Sequence, residues 1–170
     1  DTLFKSSNYF NHSKMLATAK GGKERLHSVL SALNSLEEVA NPNDWVLVHD
    51  SVRPCVKKTD IEMLITEVSH HQTGGILATG VVDTIKQFAI DGKVSTIDRS
   101  KLYNAQTPQM FRFGILKDAL ETALKLDNNI TDESEAIENL GYSIKIVIGS
   151  SSNIKITQID DLELANHYLQ

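Results

Sequence analysis

The sequence predicts an α/β fold in which helices pack against a mostly parallel sheet. Short apolar runs typical of buried strands alternate with amphipathic segments at helical spacing through most of the chain. The segment from Val81 to Ile97 interrupts this alternation and has the pattern of a β-hairpin. We therefore expect one domain over the 170 residues, with an arm that projects from the main sheet.

The first half of this alternation begins with a helix over Glu24–Leu36. A buried strand over Trp45–Val48 follows a turn signal, and Thr59 begins a capping-box pattern that predicts the next helix. A strand over Ile76–Ala78 comes next. The hairpin then has its turn at Asp91-Gly92.

The second half begins after a break that we expect at Thr107-Pro108-Gln109. Helices are predicted over Gly114–Leu126 and Asp132–Leu140, the second ending at Gly141, where glycine favours a helix end. The remaining predicted elements are strands over 144–148 and 154–156 and a closing helix over 159–169.

Composition limits the classes of function. The formal net charge of −5 argues against a nucleic-acid binder, which usually has a basic face. Cys55 is the one cysteine, so an internal disulfide is excluded and a zinc site has little support. No apolar run has the length that a membrane-spanning helix needs. We expect a cytoplasmic protein with no membrane partner.

Arginine is scarce, and its positions suggest anion binding. Only Arg25, Arg53, Arg99 and Arg112 are present, and three of them lie in polar segments at element junctions, where open α/β sheets bind ligands. A guanidinium offers a rigid fork of donors suited to phosphate. The alternative is that each arginine simply pairs with a nearby carboxylate.

The segment from His49 to Pro54 is the most suggestive. It places Asp50 just past the end of a predicted buried strand, with Arg53 three residues later. Mg²⁺ prefers few carboxylates together with phosphate oxygens and water, so Asp50 is a candidate metal ligand. A turn-capping role for Asp50 is an equal alternative.

Further candidates lie at other element ends. Gly21-Gly22 precedes a helix and offers backbone N–H groups to a phosphate or a base edge, with Arg25 and Ser28 nearby. Plain loop glycines and a solvent-facing serine are the alternatives. The hydroxyls of Thr84, Thr107 and Thr131 lie near loops or strand ends, although Thr131 could cap the next helix. Lys155 is either directed to a site or an ordinary surface lysine.

These segments together resemble the 2-C-methyl-D-erythritol 4-phosphate cytidylyltransferase family. Gly21–Val29 resembles its G-G-x-x-R-x-x-S-V element, and His49–Pro54 resembles its H-D-x-x-R-P signature. The remaining matches are Val82–Lys86, Asp98-Arg99 with Gln106–Gln109, Ile130–Glu133 and Asn153–Thr157. The resemblance runs in order from about Gly21 to the C-terminus.

The resemblance implies a doubly wound, Rossmann-like nucleotidyltransferase sheet with a dimerisation arm, over about 81–101, that interlocks two subunits. It implies that Gly22, Arg25 and Ser28 hold the cytidine end of CTP and that Asp50 lies at Mg²⁺ and the nucleotide phosphates. It places the following residues around methylerythritol phosphate, with Arg99 and Lys155 as the pair that positions its phosphate: Arg53, Thr84, Arg99, Thr107, Thr131 and Lys155.

The implied reaction transfers CMP from CTP to methylerythritol phosphate and releases pyrophosphate, in isoprenoid precursor synthesis. The family also has a first strand and a glycine-rich loop that grip the triphosphate, and nothing before Gly21 matches them; Lys23 also stands where many members have an acidic residue. We therefore expect an N-terminally incomplete domain that by itself binds CTP poorly. The alternatives are a cytidylyltransferase for ribitol or another polyol phosphate, and an inactive fragment that dimerises or binds ligand.

Overall fold

A computed structural model describes residues 2–170, except for the side chain of Leu3. After a short helix α1 (Thr2–Lys5), the order is α2 (Arg25–Asn34), β1 (Trp45–Val48), α3 (Lys58–Val68), β2 (Gly74–Gly80), β3 (Ile85–Phe88) and β4 (Val94–Ile97). A 3₁₀ turn over Arg99–Lys101 precedes β5 (Tyr103–Arg112), and the chain continues with α4 (Phe113–Lys125), α5 (Glu133–Asn139), β6 (Lys145–Ile148) and α6 (Asp160–Tyr168).

The main sheet has the strand order β1-β5-β2-β6. Strands β1, β2 and β6 run in one direction, because β5 pairs antiparallel with both β1 and β2 while β2 and β6 pair parallel. The predicted mostly parallel α/β sheet is confirmed in strand direction. The ladder itself is mixed, because β5 runs in reverse between two parallel strands.

Helices cover both faces of this sheet, as a doubly wound fold requires. Neighbouring residues of one strand point to opposite faces, so Ile76 and Phe111 pack with α2 and α4 while Leu77 and Met110 pack with α3. Each face thus has its own apolar cluster. Val147 of β6 belongs to the α3 side and is 2% exposed.

Three local predictions are wrong. The expected break at Thr107-Pro108-Gln109 lies inside β5, the longest strand described, where the ladder with β2 shifts register between Ile76 and Ala78. A strand tolerates proline at such an irregularity. Helix α3 has Lys57 as its N-cap without a side-chain cap, so the capping box at Thr59 does not form.

The third error is the strand expected over residues 154–156, which is an irregular segment tied to the site loop by the hydrogen bond from Ile156 N to Val52 O at 2.8 Å. Strand β1 is also less buried than expected, with Leu47 37% exposed.

The hairpin prediction is confirmed, because β3 and β4 form a separate two-stranded sheet. Its apolar side chains face outward: Phe88 is 75% exposed, Val94 57%, and Ile90 fully so. Gly92 at the turn has a φ of 82°, a conformation that glycine adopts without strain. No helix within residues 2–170 is long and apolar enough to cross a bilayer.

Candidate functional site

A cavity of about 210 Å³ lies where β1 and β6 end. The residues after Val48 and after Ile148 meet at this edge because β1 and β6 run in the same direction. Six of the predicted site residues line this cavity: Arg25, Asp50, Arg53, Thr107, Thr131 and Lys155. They come from five separate parts of the chain.

Asp50 is the centre of the cluster. Its carboxylate accepts from Arg25 through Nη2 at 3.0 Å and Nε at 3.1 Å, and it lies 3.2 Å from Lys155 Nζ. The Nε atom of Arg53 is 3.7 Å away. Three cations therefore surround one carboxylate that is 13% exposed.

The charges around Asp50 set its protonation. Burial by itself would raise the pKa of Asp50, but the guanidinium of Arg25 and the ammonium of Lys155 outweigh it and hold that pKa below its ordinary value. For Arg53, burial is the main effect and lowers its pKa, although its ordinary value is high enough to leave the guanidinium charged near neutrality. Asp50 and Arg53 are therefore both charged near neutral pH.

Glu133 holds the other side of Arg25. Its side chain is 1% exposed, and Oε1 accepts from Arg25 Nη1. Burial raises the pKa of Glu133, and Arg25 opposes that rise. Within residues 2–170, Oε2 of Glu133 has no hydrogen-bond partner, so Arg25 is the group that makes the burial of this carboxylate tolerable.

Thr107 and His49 fix the main chain at Asp50. The N–H of Asp50 donates to Thr107 Oγ1 at 3.0 Å, and Thr107 Oγ1 lies 2.9 Å from His49 Nδ1. His49 Nε2 lies 3.1 Å from the carbonyl oxygen of Arg53, which only accepts. Nε2 of a neutral His49 therefore carries the proton, and Nδ1 accepts the Thr107 hydroxyl. This network holds both ends of the Asp50–Arg53 turn.

Thr131 lies at the cavity rim, before α5. Its N–H and Oγ1 donate to Glu135 Oε2 at 2.6 and 2.8 Å. The cap of α5 is the next residue, Asp132, which accepts from Glu135 N at 2.9 Å. Asp132 also accepts from Gln109 Nε2 at 2.7 Å.

Gly22 and Ser28 lie outside the lining of this cavity, at the start of α2. The Gly22 N–H was expected to be free, but it donates to Ser28 Oγ at 2.9 Å. A Cβ at Gly22 would lie 2.2 Å from His27 Cβ, so the tight approach of this loop to α2 requires glycine. The Ser28 hydroxyl therefore fixes the Gly21-Gly22 loop against α2, in addition to being partly exposed to solvent.

Thr84 and Arg99 are also outside the cavity lining. Both are exposed and lie at the base of the β3–β4 arm. Arg99 donates through Nη1 to the carbonyl of Val82, across the base of the arm between the segment before β3 and the segment after β4. Arg99 therefore does not line the cavity that contains Lys155. The fourth arginine, Arg112, has its guanidinium 3.6 Å from the centre of the Trp45 ring, a structural role.

Sequence reasoning missed several residues that shape the site. Glu133, His49 and Asn153 contact predicted site residues or their main chain, and Gln109 lines the cavity and donates to Asp132. Their signal was present, because each stands inside a motif quoted for the family resemblance. What was hidden is their burial and their partners, which depend on contacts between distant parts of the chain.

The arrangement suits a ligand with phosphate groups. Arg25, Arg53 and Lys155 supply fixed positive charge, and Thr107 and Thr131 supply hydroxyls within one cavity. Within residues 2–170 no cluster of three or more His, Cys, Asp and Glu side chains could hold a metal. Asp50 with phosphate oxygens and water still fits the few-carboxylate site that Mg²⁺ prefers.

Comparison with known proteins identifies the same family as the sequence motifs. The family profile of 2-C-methyl-D-erythritol 4-phosphate cytidylyltransferase (IspD) matches residues 5–170. Proteins of that description from Vesicomyosocius okutanii and Ruthia magnifica are 54% and 56% identical over 169 residues, 99% of this chain and 70% and 71% of their own length. The crystal structure of the Francisella tularensis cytidylyltransferase superposes with a TM-score of 0.86 at 39% identity, over 98% of this chain and 77% of that one.

Proposed function

Because this chain belongs to the 2-C-methyl-D-erythritol 4-phosphate cytidylyltransferase family, we propose that the protein transfers CMP from CTP to 2-C-methyl-D-erythritol 4-phosphate. The products are 4-diphosphocytidyl-2-C-methyl-D-erythritol and pyrophosphate, in isoprenoid precursor synthesis. The observation that carries the proposal beyond ancestry is the convergence of Arg25, Arg53 and Lys155 on Asp50 in one cavity.

The chemistry follows from the charges. A phosphate oxygen of the acceptor forms a bond to the α-phosphorus of CTP while the bond to the bridging oxygen of pyrophosphate breaks. The acceptor oxygen is already anionic near neutral pH, so no general base is needed. Catalysis then depends on holding two anions in line and on balancing the charge that moves to pyrophosphate.

We assign roles within the site accordingly. Arg25, with Gly22 and Ser28, serves the cytidine end. Asp50 would hold Mg²⁺, which supplies charge neutralisation at the nucleotide phosphates. Arg99 and Lys155 orient the phosphate of the acceptor. The full set of residues that hold the acceptor is Arg53, Thr84, Arg99, Thr107, Thr131 and Lys155. Lys155 Nζ lies 3.2 Å from Asp50, so the acceptor phosphate that it orients would lie beside the nucleotide phosphates.

We also propose a cytoplasmic homodimer built on the β3–β4 arm within residues 81–101. Two features support it: the arm carries the exposed apolar residues Val82, Phe88, Ile90 and Val94, and it carries Thr84 and Arg99 away from their own chain's cavity. Exposed apolar surface on an isolated hairpin is the type that a second subunit covers. Arg99 would then complete the site of the partner subunit.

The activity is tested by pyrophosphate release with CTP, Mg²⁺ and methylerythritol phosphate. The chain spans about 70% of the length of the relatives above, so the assay uses the longest reading frame that contains it. We expect turnover that requires all three components, with ribitol 5-phosphate as the control acceptor giving at most about 1% of the rate. Equal rates with ribitol phosphate would reject the acceptor assignment.

The crossing arm is tested by mixing two inactive variants, Arg99→Ala and Lys155→Ala. If Arg99 acts in the partner's site, a mixed dimer has one intact site and one doubly defective site. An equal mixture then regains about a quarter of wild-type activity, because half of its dimers are mixed. Absence of recovery, with subunit exchange verified by mass, would show that Arg99 serves its own chain.

A further inference from the structure

Asn153 is a fully buried polar residue to which the roles above assign no part. It is 0% exposed, within the segment that follows β6. Its Nδ2 donates to Thr107 O at 2.8 Å and lies 3.4 Å from Gln106 Oε1. Its main-chain oxygen accepts from Arg53 Nη1 at 2.8 Å and from Gln106 Nε2 at 3.4 Å.

These contacts connect three parts of the site that are far apart in sequence. Thr107 lies in β5, Arg53 lies in the turn after β1, and Lys155 follows Asn153 by two residues. The segment around Asn153 belongs to no strand. Its placement therefore depends on individual hydrogen bonds rather than on a ladder, and those of the Asn153 side chain are buried.

The side chain and the main chain of Asn153 have separable tasks. Any residue could offer the carbonyl that accepts from Arg53, because that group is main chain. The side-chain amide is specific: its bond to the Thr107 carbonyl sets how close the segment comes to β5. It thereby sets where the carbonyl meets Arg53 and where Lys155 enters the cavity. Replacing the amide leaves the Thr107 carbonyl without this donor.

We propose that Asn153 is a positioning residue for the acceptor half of the site, acting through Arg53, Thr107 and Lys155. The inference rests on the proposed function, because it assigns those three residues to the acceptor phosphate. It predicts that loss of the Asn153 amide harms the acceptor side of the reaction while CTP binding is preserved, since none of its contacts reaches Gly22, Arg25 or Ser28. A merely structural role would lower the amount of folded enzyme and leave the kinetic constants unchanged.

The test compares Asn153→Ala and Asn153→Leu with Ser152→Ala. The Leu variant keeps about the size of the side chain and removes both N–H donors without adding a buried charge, so it provides a second variant if Ala folds poorly. Ser152 is 6% exposed, and within the described residues its hydroxyl has no hydrogen-bond partner, so its removal is the matched control. Steady-state constants are measured for both substrates, per folded protein and well below the melting temperature.

We expect both Asn153 variants to lose about 100-fold in kcat/KM for methylerythritol phosphate, with the KM for CTP within about threefold of wild type. Ser152→Ala should stay within about twofold in all constants. In an Arg53→Lys background, Asn153→Ala should lower kcat/KM for methylerythritol phosphate by about tenfold or less. The loss is smaller because part of the effect of Asn153 passes through Arg53.

Two results would overturn the inference: unchanged kinetic constants in folded Asn153 variants, or the same fold-loss in the Arg53→Lys background as in wild type. Failure of the proposed function is a separate result. In that case wild type itself would release no pyrophosphate with CTP and methylerythritol phosphate.

Discussion

Replacing Arg25 with alanine should destabilise the fold through the carboxylate that it leaves behind. Arg25 pairs with Asp50 and with Glu133, which differ in their other partners. Asp50 keeps Lys155 at 3.2 Å and Arg53 at 3.7 Å. Glu133, 1% exposed, loses the cation that balances its charge.

The size of the effect follows from this asymmetry. Removing one partner of a buried ion pair costs about 3–5 kcal/mol, because it strands a buried charge. Arg25 is itself 32% exposed, so water already screens part of the pair and the low end, about 3 kcal/mol, is expected. With a urea m-value of about 2 kcal/mol per M, the unfolding midpoint should fall by about 1.5 M.

The loss of unfolding free energy in Arg25→Ala should be larger at high pH than at low pH. Burial raises the folded-state pKa of Glu133 above its unfolded value, and Arg25 opposes that rise. Without Arg25 the folded protein binds this proton more strongly than the unfolded chain. Stability is therefore regained as pH falls toward and through that raised pKa and lost again as pH rises. The difference from wild type should be larger at about pH 8 than at about pH 5.

The assay is urea unfolding followed by circular dichroism, with Lys117→Ala as the control. Lys117 pairs with Glu37 and Glu121, which are 49% and 34% exposed and stay hydrated when it is removed. The unfolding free energy of Lys117→Ala should fall by at most about 1 kcal/mol. Adding Glu133→Gln to Arg25→Ala should restore part of the loss, because no charge is then stranded. Equal losses for Arg25→Ala and Lys117→Ala would refute the reasoning.

Three further perturbations have defined outcomes. Arg99→Lys should lower kcat at least about tenfold with unchanged melting temperature, because Arg99 is exposed and lysine keeps the charge but loses the fork; wild-type rates would reject its role. Ile90→Asp should turn a dimer into a monomer in sedimentation velocity at micromolar concentration, and a monomeric wild type would reject the arm interface. Gly22→Ala, whose Cβ would lie 2.2 Å from His27 Cβ, should raise the KM for CTP about tenfold. Gly80→Ala, where a Cβ meets no heavy atom within 4 Å, should leave it unchanged.

The arm and the helices other than α1 could be predicted from the sequence because their signals are local. Apolar spacing identified α2 and α4 to within two residues at each end, and the turn at Gly92 identified the hairpin. Strand β5 was missed because Pro108 punctuates it. A proline is compatible with a central strand only where the ladder is irregular. That irregularity is a property of the pairing with β2, which no local pattern records.

The site divides in the same way. Asp50 and Arg53 could be predicted because they follow a strand end directly. The burial and the partners of Glu133 and Asn153 could not be predicted, because those partners lie 108 and 46 residues away along the chain. A buried glutamate reads locally as an ordinary first-turn acid of a helix, and a buried asparagine reads as a loop residue. Only the assembled fold shows that one neutralises Arg25 and the other holds the segment that carries Lys155.

An arginine can pair with a carboxylate in the free protein and still be available to a phosphate ligand. Pairing with a nearby carboxylate and binding of a phosphate were alternatives on sequence grounds, yet Arg25, Arg53 and Lys155 all meet Asp50 in one cavity that a ligand could enter. Uncompensated cations packed this closely would repel each other and pay a desolvation cost. Asp50 offsets both effects, so the cations can stand in place before an anion arrives. Under the proposed function, we expect the acceptor phosphate to compete with Asp50 for Arg53 and Lys155, so that its binding would replace existing ion pairs instead of neutralising unpaired cations.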